Sequence, residues 1–335
     1  MRKYLKLATI CLLILSACKK NDNTVQSAEG PENSISLRSC ASNEVLQQQL
    51  AADPAFRDRL NAIERFTKKT IENKELARLL PGGVIEIPVV VNVLYRTETE
   101  NISDEQIKSQ IDVLNEDFSG TNADYKSVPD MFKQSKYDFK VQFVLKTVVR
   151  KACKQKTWAI TDGMKKSNQG GIDPTDPLTT LNMWSCNLGQ NLLGYAQFPG
   201  GPLATDGVVI LYSAFGSKYK FSNGTYIANY DKGRTATHEV GHWMNLYHIW
   251  GDATCGTDKV DDTPPHNAAN FGCPDEKAIT CTNNAITNPY GYTREMTMNY
   301  MDYSHDACMY LFSNGQKDRM LAVFATGGPR EAIGK

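Results

Sequence analysis

The sequence has 335 residues, with 37 basic and 37 acidic side chains, nine cysteines and five histidines. A hydrophobic share of 41% and a charged share of 22% are typical of a globular protein, and they exclude long disorder and collagen-like repeats. Because the charges balance, we expect no polyanionic partner and therefore no nucleic acid. The length allows a large hydrophobic core that does not depend on disulfides.

The first seventeen residues predict a secretory signal. Three basic residues precede a short apolar run at 7–15, which is too short to span a bilayer that needs roughly twenty residues. The run ends in the sequence LSAC at 15–18, which resembles a bacterial lipobox. Cys18 would then carry a lipid and anchor an exported protein to a membrane. A plain signal with a small-residue cleavage site is the alternative.

Polar residues with one glycine and one proline fill 18–33 and predict a flexible tether. Apolar residues then recur at helical spacing between 43 and 80, with a break at Pro54. We therefore expect residues 34–81 to form a mostly helical segment, and residues 82–335 to form a separate domain.

The segment after residue 81 predicts an α+β domain. Ile85 to Tyr95 is β-branched and indicates a buried strand. An amphipathic helix is expected from Ser103 to Phe118, with Ser103 and Gln106 forming a capping box. Further strands are expected at 137–149 and 207–212, and further helices at 235–246 and 314–324.

Three of the five histidines lie within eleven residues. His238 and His242 are four apart, so on a helix they share one face and can bind one ion. His248 lies ten residues after His238, roughly 80° around a helix, so the helix must end before it. Asn245 suits that turn, because asparagine follows glycine in its ability to adopt left-handed dihedrals. Three neutral imidazoles leave an open coordination position, which favours a catalytic zinc ion.

Glu239 follows the first histidine, where its carboxylate can reach a water on the ion without being a ligand. Zinc lowers the pKa of such a water to about 7 and polarises a carbonyl group. Glu239 would take the proton of the water and later deliver it to the leaving amine.

The motif H-E-x-x-H-x-x-N-x-x-H, followed by Met301 in the sequence NYMDY, resembles the metzincin zinc peptidases and, more closely, the pappalysin family. The resemblance covers roughly residues 85–325. It is carried by LGYAQFP at 193–199, DGVVI at 206–210, HEVGHW at 238–243, DDTPP at 261–265 and NYMDYSHDAC at 299–308.

This resemblance implies an α+β, metzincin-like catalytic domain. A twisted mixed sheet and two main helices would lie above the cleft, with an irregular, disulfide-linked lower subdomain below it. Met301 would pack under the zinc, and Tyr303 would stabilise the tetrahedral oxyanion, with simple core packing as the alternative for Tyr303. The edge strand of Gly194, Tyr195 and Ala196 would bind an extended peptide by backbone pairing.

The resemblance also implies cleavage before a basic residue, because an aspartate lines the pocket that follows the scissile bond. Asp306 is the candidate for that aspartate and Asp302 is the alternative, although both could be solvated loop charges. We expect cleavage before Arg and, less often, before Lys.

Four cysteines of the lower subdomain can pair in three ways by spacing alone, and a zinc site made only of cysteines is a further alternative. By resemblance, the pairs are Cys255 with Cys281 and Cys273 with Cys308. A third pair is expected between Cys153 and Cys186.

Cys40 resembles the cysteine switch of latent metzincins. Its thiolate would occupy the fourth zinc position until residues 34–81, as a propeptide, are removed. The alternative is a disulfide from Cys40 to Cys153 or Cys186. Under the expected specificity, Ala77-Arg78 is a self-cleavage point.

Calcium is expected in the acidic loop after the zinc motif, because hard oxygens cluster there and similar proteins carry calcium in this region. The residues are Asp258, Asp261, Asp262 and Thr263. Alternatively, they only cap and solvate the loop.

Taken together, the sequence predicts a secreted or surface-anchored zinc endopeptidase made as a latent zymogen, acting on protein or peptide substrates and most simply a monomer. Two alternatives stay open: a non-catalytic zinc-binding surface lipoprotein, and a zinc amidase acting on another substrate class.

Overall fold

The computed structural model describes residues 39–73, 83–133, 139–281 and 288–333. The expected signal at 1–17, the tether at 18–33 with its lipid carrier Cys18, and the Ala77-Arg78 cleavage point lie outside the described residues. Across the described ranges, every helix is too short or too polar to cross a membrane.

Residues 39–73, called the N-terminal segment below, contain two of the predicted helices. Helix α1 spans Ser42–Ala52 and helix α2 spans Ala55–Glu72. Pro54 separates them, because its ring is accepted at a helix start and not in a helix interior.

A five-stranded sheet forms the centre of the molecule. Its strands are β1 (Ile85–Tyr95), β2 (Val141–Ala152), β3 (Leu181–Cys186), β4 (Gly194–Ala196) and β5 (Val208–Leu211), in the order β2-β1-β3-β5-β4. The first four strands in that order are mutually parallel, whereas β4 at the edge is antiparallel to β5. The predicted α+β class with a mixed sheet is therefore confirmed.

Strand β3 was not predicted from the sequence. Its residues LNMWSC are all buried, so the strand shows no alternation of polar and apolar residues. It also lacks β-branched residues, which are the other local signal for a strand.

Helix α3 spans Asp104–Ser119 and packs on the sheet. Ser103 accepts the backbone N–H of Gln106 as expected, and Gly120 ends the helix with a φ of 68°. The other half of the predicted capping box is wrong. The Gln106 side chain instead donates to the carbonyls of Phe215 and Thr225, at 2.8 and 3.0 Å, because burial directs it into the neighbouring loop.

Helix α4 spans Arg234–Trp243, and every residue in it is buried. The lower part of the molecule is largely irregular, as expected. It contains the short parallel pair β6 (Phe271–Gly272) and β7 (Tyr303–Ser304), followed by helix α5 (Asn314–Ala322).

Two disulfides stabilise the lower part, joining Cys255 to Cys281 and Cys273 to Cys308. These are the pairs that the family resemblance implied. Four of the cysteines are thereby engaged in disulfides, so a zinc site made only of cysteines does not form there.

The expected pair of Cys153 and Cys186 is wrong, since both are free thiols. Cys153 directly follows β2 and Cys186 ends β3, and β1 lies between these strands. Two strand spacings amount to roughly 9.5 Å, which exceeds the Cα separation that a disulfide allows.

Candidate metal centre and active site

Helix α4 delivers two of the three histidines and then ends where the sequence requires. Its last helical residue is Trp243, and Asn245 adopts a φ of 75°, in the left-handed region expected for the turn. The Asn245 carbonyl accepts a hydrogen bond from Arg319 Nε at 2.7 Å. This turn brings His248 back beside the helix.

The three imidazoles converge through their Nε2 atoms. His242 Nε2 lies 3.1 Å from His238 Nε2 and 3.1 Å from His248 Nε2. Ligands of a tetrahedral zinc ion lie about 3.3 Å apart, since Zn–N bonds are about 2.0–2.1 Å long. All three histidines are buried. The spacing therefore fits a zinc ion.

Each Nδ1 atom faces a fixed oxygen. His238 Nδ1 lies 2.7 Å from the Tyr300 carbonyl, and His242 Nδ1 lies 2.8 Å from the Leu246 carbonyl. His248 Nδ1 lies 2.5 Å from Asp252 Oδ1. Donation from Nδ1 leaves the Nε2 lone pairs for a metal, which is the usual outer-sphere arrangement of zinc histidines. Burial, and then His248, lower the pKa of His242, which keeps its ring neutral.

The fourth group at this centre is the Cys40 thiol. The ligand atoms of Cys40 and the three histidines all lie within 4.8 Å of one another, and this is the one cluster of metal-binding side chains among the described residues. Cys40 is a free cysteine, so the alternative disulfide to Cys153 or Cys186 does not form. Burial, and then the Glu239 carboxylate, raise the pKa of Cys40. A cation at the centre of the cluster acts in the opposite direction and favours the thiolate.

The catalytic candidate Glu239 is buried beside the cluster. Its Oε2 accepts hydrogen bonds from Cys40 Sγ at 3.2 Å and from Ser42 Oγ at 2.9 Å. The sequence does not single out Ser42, because a serine that opens a helix ordinarily caps it.

The edge strand β4 pairs with the N-terminal segment. Leu193 N–H donates to the Ser39 carbonyl at 3.0 Å, and Ala41 N–H donates to the Gly194 carbonyl at 3.1 Å. Ala196 N–H donates to Ser42 Oγ at 2.8 Å. Gly194 and Cys40 form a parallel bridge, so the segment runs in the same direction as β4.

The residues of β4 do not all face the cleft. A Cβ atom at Gly194 would lie 2.8 Å from the Val209 carbonyl oxygen and 3.0 Å from Glu239 Cγ, so only glycine fits between them. The Tyr195 side chain points into the core, where its hydroxyl donates to Asp162 at 2.9 Å. Gly194 and Ala196 therefore direct backbone groups at the N-terminal segment, and the Tyr195 side chain does not face the cleft.

Met301 is fully buried against α4, where a Cβ added at Gly241 would lie 2.6 Å from its sulfur. Asn299 fixes this turn by accepting the Met301 N–H at 2.9 Å and exchanging hydrogen bonds with Gln316. The sequence does not single out Asn299 and Gln316, because their hydrogen bonds join two separate segments of the chain.

Tyr303 lies at the centre, with its ring 5.0 Å from that of His248. Its hydroxyl donates to the Cys40 carbonyl at 3.1 Å. Burial, followed by the charges of Cys40 and Glu239, raises the pKa of Tyr303, so it remains a hydrogen-bond donor.

Both candidate specificity acids are buried. Asp306 Oδ2 accepts the backbone N–H groups of Lys232 and Arg234, at 3.0 and 3.2 Å, so it lies at the start of α4, one turn before His238. Asp302 accepts the backbone and side-chain N–H groups of Asn270, at 2.8 and 2.9 Å. Asp302 is thus part of the internal packing of the lower part.

The acidic loop does not gather its side chains around one point. Asp258 accepts Thr263 Oγ1 and the Val260 N–H, whereas Asp262 accepts Ser313 Oγ and the Gly315 N–H at the start of α5. Asp261 is exposed. Asp258 thus caps its own loop, as in the alternative interpretation, whereas Asp262 caps the distant start of α5, and the expected calcium site gains no support from either.

Three converging histidines, an adjacent glutamate, a methionine turn and an edge strand over a mixed sheet define a zinc metallopeptidase of the metzincin type. A family model described as peptidase M43, pregnancy-associated plasma protein-A, matches residues 189–325. An extracellular metalloprotease of Arthroderma benhamiae is 33% identical over 250 residues, which are 69% of this chain and 71% of that protein. The chain therefore belongs to the pappalysin family.

Solved structures agree with this assignment. Mature mirolysin of Tannerella forsythia in complex with a cleaved peptide has a TM-score of 0.69 and 44% identity, covering 76% of this chain and 97% of that one. A Tannerella forsythia promirolysin mutant has a TM-score of 0.76 and 41% identity, covering 89% of this chain and 97% of that one. The proenzyme therefore matches more of this chain than the mature enzyme does.

Proposed function

We propose that the chain is the latent, exported form of a zinc endopeptidase that cleaves peptide bonds before Arg or Lys. The observation that carries the proposal is the meeting of four groups, Cys40 with the three histidines, beside Glu239. A peptidase poised for catalysis has no need of a thiol at that position, whereas a latent one does.

His238, His242 and His248 would hold the zinc ion, which when bound lowers the pKa of a coordinated water and polarises the scissile carbonyl. Glu239 would accept the proton of the attacking water at Oε2, the oxygen that now accepts Cys40 and Ser42. It would then deliver that proton to the leaving amine.

Tyr303 would donate its hydroxyl hydrogen bond to the carbonyl oxygen as negative charge develops there. In the present form this donor is directed at the Cys40 carbonyl. The same hydroxyl would thus serve latency before maturation and catalysis after it.

Latency is supported by three contacts that a substrate would also need. The N-terminal segment uses the edge of β4, it occupies Glu239, and it engages Tyr303. We place the propeptide at residues 34–81 and its removal near Ala77-Arg78. The 41% identical promirolysin mutant supports a proenzyme form for this chain.

Asp306 is our proposed specificity acid. It lies at the start of α4, one turn before His238, and we take it to line the pocket for the side chain that follows the scissile bond. A carboxylate there favours a basic side chain by charge complementarity. The same Oδ2 atom also accepts backbone N–H groups, so replacement of Asp306 tests structure as well as specificity.

Export and lipid attachment at Cys18 rest on the signal and lipobox patterns in residues 1–18. The name extracellular metalloprotease, carried by relatives from Arthroderma benhamiae and Verticillium alfalfae, supports export.

The proposed function is tested by cleavage-site mapping on a peptide mixture with zinc content measured on the same sample, using Glu239→Ala as the control. We expect one zinc ion per chain, cuts before Arg and Lys, and no cuts by the variant. Cleavage without basic preference would refute the specificity, and equal cleavage by Glu239→Ala would refute the mechanism.

A further inference from the structure

The N-terminal segment packs on a row of side chains that begins beside His242 and passes the C-terminal end of α4, and this row is called the recess below. Two aromatic rings form its floor. The Phe198 ring lies 5.3 Å from that of His242, and 5.2 Å from that of Tyr247. Leu46 of α1 and Phe56 of α2 pack on Phe198. The recess is therefore apolar where it begins beside a metal ligand.

The far end of the recess is basic. Lys259 Nζ lies 4.7 Å, and the Arg319 guanidinium carbon 5.3 Å, from the centre of the Tyr247 ring. Both cations are paired with Glu64 of α2. The two terminal nitrogens of Arg319 donate to the two oxygens of Glu64 at 3.0 and 2.6 Å, and Lys259 Nζ lies 3.5 Å from Glu64 Oε2. The recess thus holds one carboxylate in the two-pronged geometry that arginine recognises best.

The zinc-motif turn holds Arg319 in place independently of Glu64. Arg319 Nε donates to the Asn245 carbonyl, and the side chain is only 3% exposed. Departure of the N-terminal segment would free the two terminal nitrogens of Arg319 from their carboxylate, while Nε stays bonded to the Asn245 carbonyl. A guanidinium fork held in place in this way is suited to bind a second carboxylate through both terminal nitrogens.

The positive charge that would select a ligand is confined to Arg319 and Lys259. Asp261, Asp262 and Asp318 line the cavity that Lys259 and Arg319 also line, so the two cations do not form a general basic field. Selectivity would therefore come from the fixed N–H groups of Arg319 and the nearby Lys259, and it would be confined to one substrate position.

The direction of a substrate follows from the proposed function. If Asp306, at the start of α4, takes the residue after the scissile bond, the residues before that bond extend the opposite way. They pass Ala196 and then Phe198, antiparallel to β4. The recess therefore lies on the N-terminal side of the scissile bond.

We propose that Arg319, Lys259 and Tyr247 form a substrate subsite for an aspartate or glutamate on the N-terminal side of the scissile bond, and that Glu64 occupies it in the latent chain. This inference rests on the proposed function. Two ring-to-ring steps and a third step from the Tyr247 ring to the two cations, each about 5 Å long, at about 3.4 Å per extended residue, place the acid roughly three to five residues before the scissile bond.

The first experiment uses the full-length chain and does not depend on activity. Hydrogen exchange of the backbone amides in α2 is measured in the Glu239→Ala chain. It is compared with exchange in three double variants, in which Glu64→Gln, Lys259→Met or Lys146→Met is added to Glu239→Ala. Lys146 is a matched control, because it pairs with Glu86 at 2.7 Å and is 46% exposed, against 41% for Lys259. We expect exchange in α2 to rise severalfold with Glu64→Gln and Lys259→Met, and to stay unchanged with Lys146→Met.

The second experiment uses the matured enzyme and peptides that differ only by Glu or Gln at the third, fourth or fifth position before the cut. At one of these positions we expect kcat/KM to be about tenfold higher for Glu, as for a hydrogen bond to a charged group. Lys259→Met and Arg319→Lys should reduce that ratio to about threefold or less, whereas Lys146→Met should leave it unchanged.

The outcomes separate the subsite from the proposed function. Cleavage before Arg with no preference for Glu at any of the three positions overturns the subsite alone. The subsite alone is also overturned if Glu64→Gln leaves hydrogen exchange in α2 unchanged. Absence of any cleavage, with wild type equal to Glu239→Ala, overturns the proposed function and the subsite together.

Discussion

At the scale of single residues, the surroundings of Glu239 depend on two small residues, Ser42 and Gly194. Ser42 bridges two partners, because its hydroxyl donates to Glu239 and accepts from Ala196. Gly194 leaves room for Glu239 beside the edge strand. Neither role shows in the sequence, since a serine at a helix start and a glycine in a short strand both have commoner explanations.

Gly194→Ala is expected to displace Glu239, because the added methyl group would lie only 3.0 Å from Glu239 Cγ and 2.8 Å from the Val209 carbonyl oxygen. The Val209 backbone is held in strand β5, so the Glu239 side chain is the group that moves. A shift of this kind costs on the order of 100-fold in kcat while zinc content is kept. Steady-state kinetics with metal analysis measures both. Gly189→Ala is the control, because its nearest neighbours would be at an ordinary 3.7 Å. Full activity of Gly194→Ala would contradict the tight fit.

Ser42→Ala removes a hydrogen-bond donor to Glu239 and the acceptor of the Ala196 N–H. We expect the full-length chain to mature faster, by a factor of about 5, since one hydrogen bond to a charged group is lost. The matured enzyme should be unaffected, because Ser42 lies in the segment that is removed. A time course of N-terminal processing tests this, and an unchanged rate would show that Ser42 does not support latency.

At the scale of elements, the sequence predicts best where local signals and burial agree. The bounds of β1 agree at both ends, and Asn245 turns the chain after α4 as its side chain suggested. Strand β3 and the inward-pointing Gln106 could not be predicted, because both depend on partners far away in sequence. The same reason explains the error over Cys153 and Cys186, whose separation is set by the strand order.

Replacements of Asn245 test the turn that joins α4 to His248. Asn245→Gly should keep zinc binding and stability, because glycine adopts a φ of 75° without strain. Asn245→Val should lower the free energy of unfolding by about 2 kcal/mol and weaken zinc binding, since a β-branched residue is strained there. Chemical denaturation and zinc titration, both in the Glu239→Ala background, measure the two effects. Equal behaviour of the two variants would count against the turn as the device that positions His248.

At the scale of the whole molecule, the fold buries acids whose pKa values are raised. Burial raises the pKa of Asp258 to about 7 and that of Asp117 to about 6, even though Thr263 and Arg234 respectively oppose the shift. A carboxyl whose pKa is higher in the folded state binds more protons there than in the unfolded chain. Its effect on the unfolding free energy is therefore to lower it as pH rises.

We accordingly expect these two acids to contribute a fall in the unfolding free energy of the Glu239→Ala chain between about pH 4 and pH 7, while His242, whose pKa is lowered, contributes a rise in part of that range. Asp258→Asn should remove the contribution of Asp258, because the amide cannot ionise, so its unfolding free energy should rise with pH relative to that of the Glu239→Ala chain. Asp261→Asn is the matched control, since Asp261 is exposed in the same loop. Denaturant titrations at several pH values between about 4 and 7 measure the unfolding free energy of each variant. An unchanged slope in Asp258→Asn would show that Asp258 ionises normally.

We propose that the Cys40 thiol is the main group that keeps the zinc peptidase centre inactive in the full-length chain. The most direct measurement is the initial peptidase rate of full-length, uncleaved Cys40→Ala against wild type, with mass spectrometry confirming an intact N-terminal segment. Cys153→Ala serves as the control, because Cys153 is also a free cysteine. We predict a rate at least about tenfold above wild type for Cys40→Ala, none for the double variant with Glu239→Ala, and no gain for Cys153→Ala. A Cys40→Ala chain no more active than wild type, although zinc is bound and the matured enzyme is active, would contradict the claim.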